Sequence, residues 1–526
     1  MLNLYQFFYS TMGGISRRNF FEGLISSTKD RLDMNATLDE FTQPLNRLQV
    51  QHLLRRTTFS LSNNIIDKYV GQTAAVVVDE LFANADSTVN APAPFFANDH
   101  ISNPGNLSGK QREEAEAKRA LLFGEYNLTL GEWWVTLMKK DNNSILEKMV
   151  LFWHDHFATQ FASCDNIPAI SMYRQNDLFR RNYAGNLRTL LEQLSIDGAM
   201  LKYLNGNMNI SSSPNENYAR ELMELFSLGV GNYSEQDVRE AAKILTGWKV
   251  SYFLDEGTPY KPFLNLAEFD KTSKLFMGEV FAVNYEVNEQ NVFKNSIQRL
   301  IDVILTKKGQ VAAKFLSNKL YQYFVYANPE KADTKIIDEM AQLILDNKFE
   351  LKPALKKLLK SQHFFDDLNI GTQIKSPAET VVGIVKHLKY PDRYARNIMA
   401  VLGLELFNPP NVAGWRGYRS WISTKTLPTT IYYLKEIIDS NTNTQLAEWA
   451  LSIEGSGDVH ILTERYVELF LARPLSEDRF KKLKNVFLGG APDYEWYEII
   501  KNKDQAGQRV RGFLFELIKA PEYFLF

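Results

Sequence analysis

The chain contains a single cysteine, Cys164, among 526 residues. That excludes an intramolecular disulfide, and it excludes any zinc or iron–sulfur site built from several cysteines of one chain. A metal site would have to hold a divalent ion on His, Asp and Glu, and histidine is itself scarce at seven residues. Long apolar runs are also missing. No stretch reaches the ~18 to 20 consecutive apolar residues needed to cross a bilayer, so no membrane-spanning helix is expected. Neither charge sign dominates: 60 basic residues face 62 acidic ones for a formal net charge of -2, without a strongly basic segment, which leaves nucleic-acid binding unsupported. A nucleophile elbow, a phosphate loop, a dinucleotide fingerprint, HExxH and an EF-hand loop are all absent, so the common hydrolases, kinases and dehydrogenases lose support.

What remains is an ordinary globular composition, 45% hydrophobic and 13% aromatic. It is enough to bury a large core in about two to four packed units. Apolar residues recur at three- and four-residue spacing with capping signals, and alternating runs are short and rare. The expected fold is mainly α, a packed multi-helix bundle with a loop-rich insertion that has room for one short β-hairpin. We divide it into an N-terminal extension (residues 1–44), an N-terminal helical unit (45–127), a central unit (128–250), the insertion (251–290), a second helical unit (291–430) and a C-terminal unit (431–526).

Local signals give this outline detail. Ser16-Arg17-Arg18-Asn19-Phe20-Phe21 looks like a twin-arginine export motif, but Glu22, Lys29, Asp30 and Arg31 interrupt the apolar stretch that should follow. A short amphipathic helix explains the same residues, and location stays open between cytoplasm and periplasm. After Leu48 to Arg56, a Ser/Asn-rich turn should lead into a second helix from Ile65 through Val78 and Leu81. Residues from Asn90 to Gly109 read as a surface loop that could meet a partner. Ser213-Pro214-Asn215-Glu216 has the form of a capping box with proline in the first turn, which predicts a helix from Pro214 to Leu228 stopped by Gly229. Ser234 to Asp237 should start its partner helix, which Gly247 ends. The segment Leu358 to Phe365 is echoed by Leu517 to Phe524, by duplication or by coincidence.

Three clusters could carry chemistry. In Phe152-Trp153-His154-Asp155-His156-Phe157, His154 and His156 are competent metal ligands. Residues two apart on a helix point about 200° from each other, however, so both reach one ion only where the helix ends or bends. Otherwise one is a buried hydrogen-bonding histidine and the other caps or faces a groove. On the next motif, Asn217, Arg220, Glu221 and Glu224 share one polar helix face. Facing solvent, they are i,i+4 pairs. Facing a cleft, Glu221 and Glu224 could ligate a metal or act as acid and base, with Arg220 orienting an anion. Asp237, Arg239 and Glu240 on the following helix would join that cleft or a structural ion-pair network. The third cluster is the loop from Phe407 to Trp421, where Trp415, Arg416, Arg419 and Trp421 could stack on sugars or clamp an anion, or form an aromatic plug over helix ends.

Taken in order, His52-Leu53-Leu54-Arg55-Arg56, Phe152 to Phe157, Asn215 to Phe226, Lys375-Ser376-Pro377 and Pro409-Pro410-Asn411-Val412-Ala413-Gly414-Trp415 resemble the Domain of Unknown Function 1800 family over roughly residues 45 to 435. The resemblance implies a bacterial protein without an assigned activity, often exported. Its companion would be a secreted protein similar to sulfatases and alkaline phosphatases. Members often carry a His-Asp-Thr-Gly-like run where this chain reads Phe269-Asp270-Lys271-Thr272, so the family's histidine falls on Phe269. Three functions follow from different classes. The leading one is a helical binding or assembly protein with a protein or glycan partner. The second is a metal-dependent, hydrolytic enzyme using His154, His156, Glu221 and Glu224. The third is a structural scaffold.

Overall fold

The computed structural model describes residues 37–140, 143–162, 166–254 and 258–526; the twin-arginine run and Cys164 lie outside the described residues. The architecture is mainly helical, with two two-stranded antiparallel sheets. No described helix is long and apolar enough to cross a membrane. Apolar side chains from Leu38 to Phe524 join in one connected core, with Trp134, Trp153, Trp248 and Trp496 among its fully buried members.

Capping chemistry sets the helix boundaries. Asn46 and Gln49 close a reciprocal capping box at the start of Arg47–Thr57. The single helix expected from Ile65 through Leu81 is two, Asn63–Tyr69 and Ala74–Thr88, because the Thr73 side chain caps the second. The box expected at Ser213 does not form. Helix Asn217–Met223 begins later, with the Asn215 side chain accepting from the Asn217 N–H at 3.0 Å. The Asn215 N–H is in turn held by Asn209, which draws Ser213 and Pro214 out of the helix. Ser234 and Asp237 do close their box, opening Glu235–Ile244. Ser376 and Glu379 close another around Pro377, at the first position of Pro377–Val385.

The insertion holds a hairpin and a second ladder. Strands Lys274–Phe276 and Glu279–Phe281 pair antiparallel through a two-residue turn, Met277-Gly278, with φ of +47° and +82°. Positive φ at both positions matches the right-handed twist of the flanking strands. Trp248–Val250 pairs antiparallel with Pro262–Leu264. Asp237 and Glu240 accept from the Met277 and Leu275 N–H groups at 3.1 and 3.3 Å, so these acids hold the hairpin in place. Phe269 is buried under the Lys274 ammonium.

Two packing relations position the site. Helix Leu146–His156 lies against Ala169–Arg181, fastened by a buried ion pair between Arg180 and Glu147 whose second oxygen accepts from Trp134 Nε1 at 2.9 Å. Helix Gly309–Phe324 packs on the turn Glu224–Leu228.

Candidate binding cleft

The last turn of helix Leu146–His156 sends three consecutive side chains to three different segments. His154 Nε2 accepts the Phe407 N–H at 3.0 Å, at the entrance to the Pro-rich loop. Asp155 Oδ1 accepts the Trp415 N–H at 2.7 Å, in the middle of that loop. His156 Nε2 donates to the Phe226 carbonyl at 3.1 Å. The 200° divergence anticipated for the two imidazoles is therefore real, and each is committed to a main-chain group. Burial pushes both histidines down to about 3, with the Lys319 charge adding to the effect on His156, so both rings are neutral at ordinary pH. The Asp155 carboxyl moves the other way. Burial raises it to about 6 against the opposing pull of the Trp415 N–H and Lys319.

Gly414 makes the contact with Asp155 achievable. A Cβ there would stand 2.3 Å from Asp155 Oδ1 and 2.4 Å from its carbonyl oxygen, and φ is +78°. Only glycine lets this loop lie so close to the helix end.

The joined segments wall a cleft of about 370 Å³. Its lining includes Asp155, His156, Glu224, Lys319, Tyr323, Trp415, Arg416 and Trp421, with Lys148 and Glu379 at the floor. Among the residues singled out from the sequence, His156, Glu224, Trp415, Arg416 and Trp421 meet here. His154 stands behind the wall, and Asn217, Arg220 and Glu221 do not reach it. A π-helical turn, Glu224–Leu228, continues Asn217–Met223 directly and separates the residues of the polar face. Its wider winding re-aims side chains relative to a regular helix, a device found often at functional sites. Glu224 turns to the cleft and accepts from the Tyr233 hydroxyl. Arg220 turns outward to a two-pronged pair with Glu235, both contacts 2.8 Å. Glu221 stays half-buried, its carboxyl raised by burial and by the neighbouring Glu224 charge.

Lys319, Tyr323, Lys148 and Glu379 carry no motif in the sequence and are brought in by folding. Lys148 pairs with Glu379 at 2.6 Å, with side-chain exposures of 1% and 8%. The ammonium also lies 4.6 and 4.9 Å from the Phe59 and Phe526 ring centres. Among the described residues, no group of three or more His, Cys, Asp and Glu side chains is arranged to hold a metal ion.

The profile of the family described as a protein of unknown function, DUF1800, matches residues 52–525, and the chain belongs to that family. The match extends past the 435 boundary of the sequence blocks to include the C-terminal helices. No curated protein and no solved structure matches the chain.

Proposed function

We propose that the protein is a binding protein whose cleft takes a saccharide unit of a glycan. The observation that carries this reading is the fixed aromatic wall. Trp415 is tied through its main chain to Asp155, with Gly414 pressed against the same carboxylate, so the loop that presents the ring is anchored to the helix end. A pre-positioned indole gives up little freedom on binding, and sugar rings pack their C–H faces on such surfaces. The cleft volume of about 370 Å³ falls in the range of small-ligand sites and is far from a flat protein interface. Asp155, Glu224 and the Gln322 amide offer hydroxyl partners along the wall. The secreted companion implied by the family resemblance would then act on, or be delivered to, the same glycan.

Titration calorimetry with a panel of neutral and acidic oligosaccharides tests this reading, using the full chain beside Trp415→Ala and Trp421→Ala. Binding that weakens about tenfold or more in both variants, each still unfolding cooperatively, is the expected result. Failure of every oligosaccharide to bind would overturn it. So would thermal stabilisation by added zinc or manganese that disappears in His156→Ala and Glu224→Ala, which would turn the reading toward a metal-dependent hydrolase.

A further inference from the structure

The charged groups of the cleft are unevenly satisfied. Each acid has a donor: Asp155 takes the Trp415 N–H, Glu224 takes the Tyr233 hydroxyl, and Glu379 takes Lys148 and the N-terminal groups of its own capping box. Two of the cations have no acceptor. Among the described residues Lys319 makes neither a hydrogen bond nor an ion pair, its Nζ standing 5.8 Å from the Phe315 ring centre, and Arg416, in the loop next to Trp415, makes none either. These two belong to different elements, helix Gly309–Phe324 and the Trp-rich loop, and both line the same cleft. Lys319 is half-buried and Arg416 exposed, so the donors of both are committed to no protein group and open to a ligand.

We propose that the cleft selects a saccharide bearing an acid group, a carboxylate or a sulfate ester, which Lys319 and Arg416 hold while the ring lies against Trp415. This rests on the saccharide-binding reading and specifies its ligand. An arginine presents a planar fork that matches a two-oxygen acid, and a lysine supplies a compact charge. Lys319 is close enough to Asp155 to favour its ionised form, and a bound acid would take over part of that cation's field. The other charges facing the pair are Glu224, His156 and the Lys148–Glu379 floor. His156 is neutral, the floor pair is internally balanced, and Glu224 keeps its Tyr233 donor. The acid group of the ligand meets the two unpaired cations without displacing an existing ion pair.

Three trisaccharides of one backbone test this by calorimetry at low salt: a galacturonate form, its carboxyl-reduced neutral form, and an O-sulfated neutral form. The acidic forms should bind about tenfold tighter than the neutral one, the advantage expected of a charge-assisted contact. Lys319→Gln and Arg416→Gln should each remove most of that advantage, weakening the acidic forms far more than the neutral one, in variants that still unfold cooperatively. A stronger effect with carboxylate or with sulfate identifies which acid the site fits. Equal binding of neutral and acidic forms, unaffected by either substitution, would overturn the acid selectivity and leave saccharide binding intact. Absence of binding by all three would remove both.

Discussion

Two polar blocks are buried in this protein, and they use their hydrogen bonds for different ends. In His52 to Arg56, most of the side-chain hydrogen bonds go to main-chain carbonyls at helix ends and turns. Arg55 donates to the carbonyls of Glu468, Leu469 and Leu471, at 2.6, 3.2 and 2.7 Å, where helix Val459–Phe470 runs out of amide partners. His52 Nε2 bonds the Phe364 carbonyl and Arg56 the Asn369 carbonyl, both at 3.0 Å. Lys375 adds the Phe470 carbonyl at 3.0 Å. In Phe152 to Phe157, His154, Asp155 and His156 instead bond the main chain of segments that wall the cleft. Residue type and burial do not separate the two blocks; what separates them is whether the anchored segment has a free side. The first block is architecture, and the second is architecture that shapes a site.

Arg55→Ala should cost about 3–5 kcal/mol in chemical unfolding, since it strips three buried carbonyls of a charged donor, while leaving saccharide affinity unchanged where the variant is folded. If that variant does not fold, Arg55→Lys, with one cation and no fork, should still show the larger part of the loss. Gly414→Ala should cost about 1–3 kcal/mol by steric conflict with Asp155, and here affinity must fall as well. Equal affinity in the Gly414 variant would erase the distinction between the blocks.

The pH profile sharpens the same comparison. Folded His154 resists protonation down to about 3, whereas the unfolded chain takes protons from about pH 6.5, so acid favours unfolding and stability falls across that window. His154→Gln, which keeps an acceptor for Phe407, should flatten this limb by about 2 kcal/mol at pH 5. Asp155 has the opposite sign. Its folded value of about 6 lies above the ordinary 3.8, so the folded state binds the proton first, and stability declines as pH rises from 4 to 6. Asp155→Asn should therefore gain about 1 kcal/mol at pH 7.5 and nothing at pH 4, measured by urea unfolding at each pH. The smallest effect belongs to Arg220→Ala, whose pair with Glu235 is exposed, and its unfolding midpoint should match the parent within error.

Much of the fold was legible because it rests on short-range chemistry. The Ser234 box and the Gly229 stop with φ of +83° are both decided within four residues. The Ser213 box failed because Asn209, outside the helix, competes for the Asn215 N–H. The site was legible in part. Its Trp-rich loop and histidine run stood out, whereas Asp155, which lines the cleft beside His156 and holds the loop, carried no signal of its own. Gly414 between Ala413 and Trp415 was the available signal for that close approach. The π turn could not be anticipated, since a regular helical wheel places Arg220 and Glu224 on one face. Lys319 could not be either, because it joins the cleft only when helix Gly309–Phe324 docks on that turn.

The floor of the cleft has a consequence for how a ligand would be felt. Lys148 is wedged near two aromatic rings, and Glu379 is held by the main chain and hydroxyl of Ser376, so both ends of the pair have fixed partners. A surface of mobile side chains or water answers an incoming charge by reorienting, and that rearrangement opposes binding. Here the dipole beneath the cleft is set at folding, so a ligand of matching polarity meets a field that needs little rearrangement, and one of opposite polarity gains nothing from it.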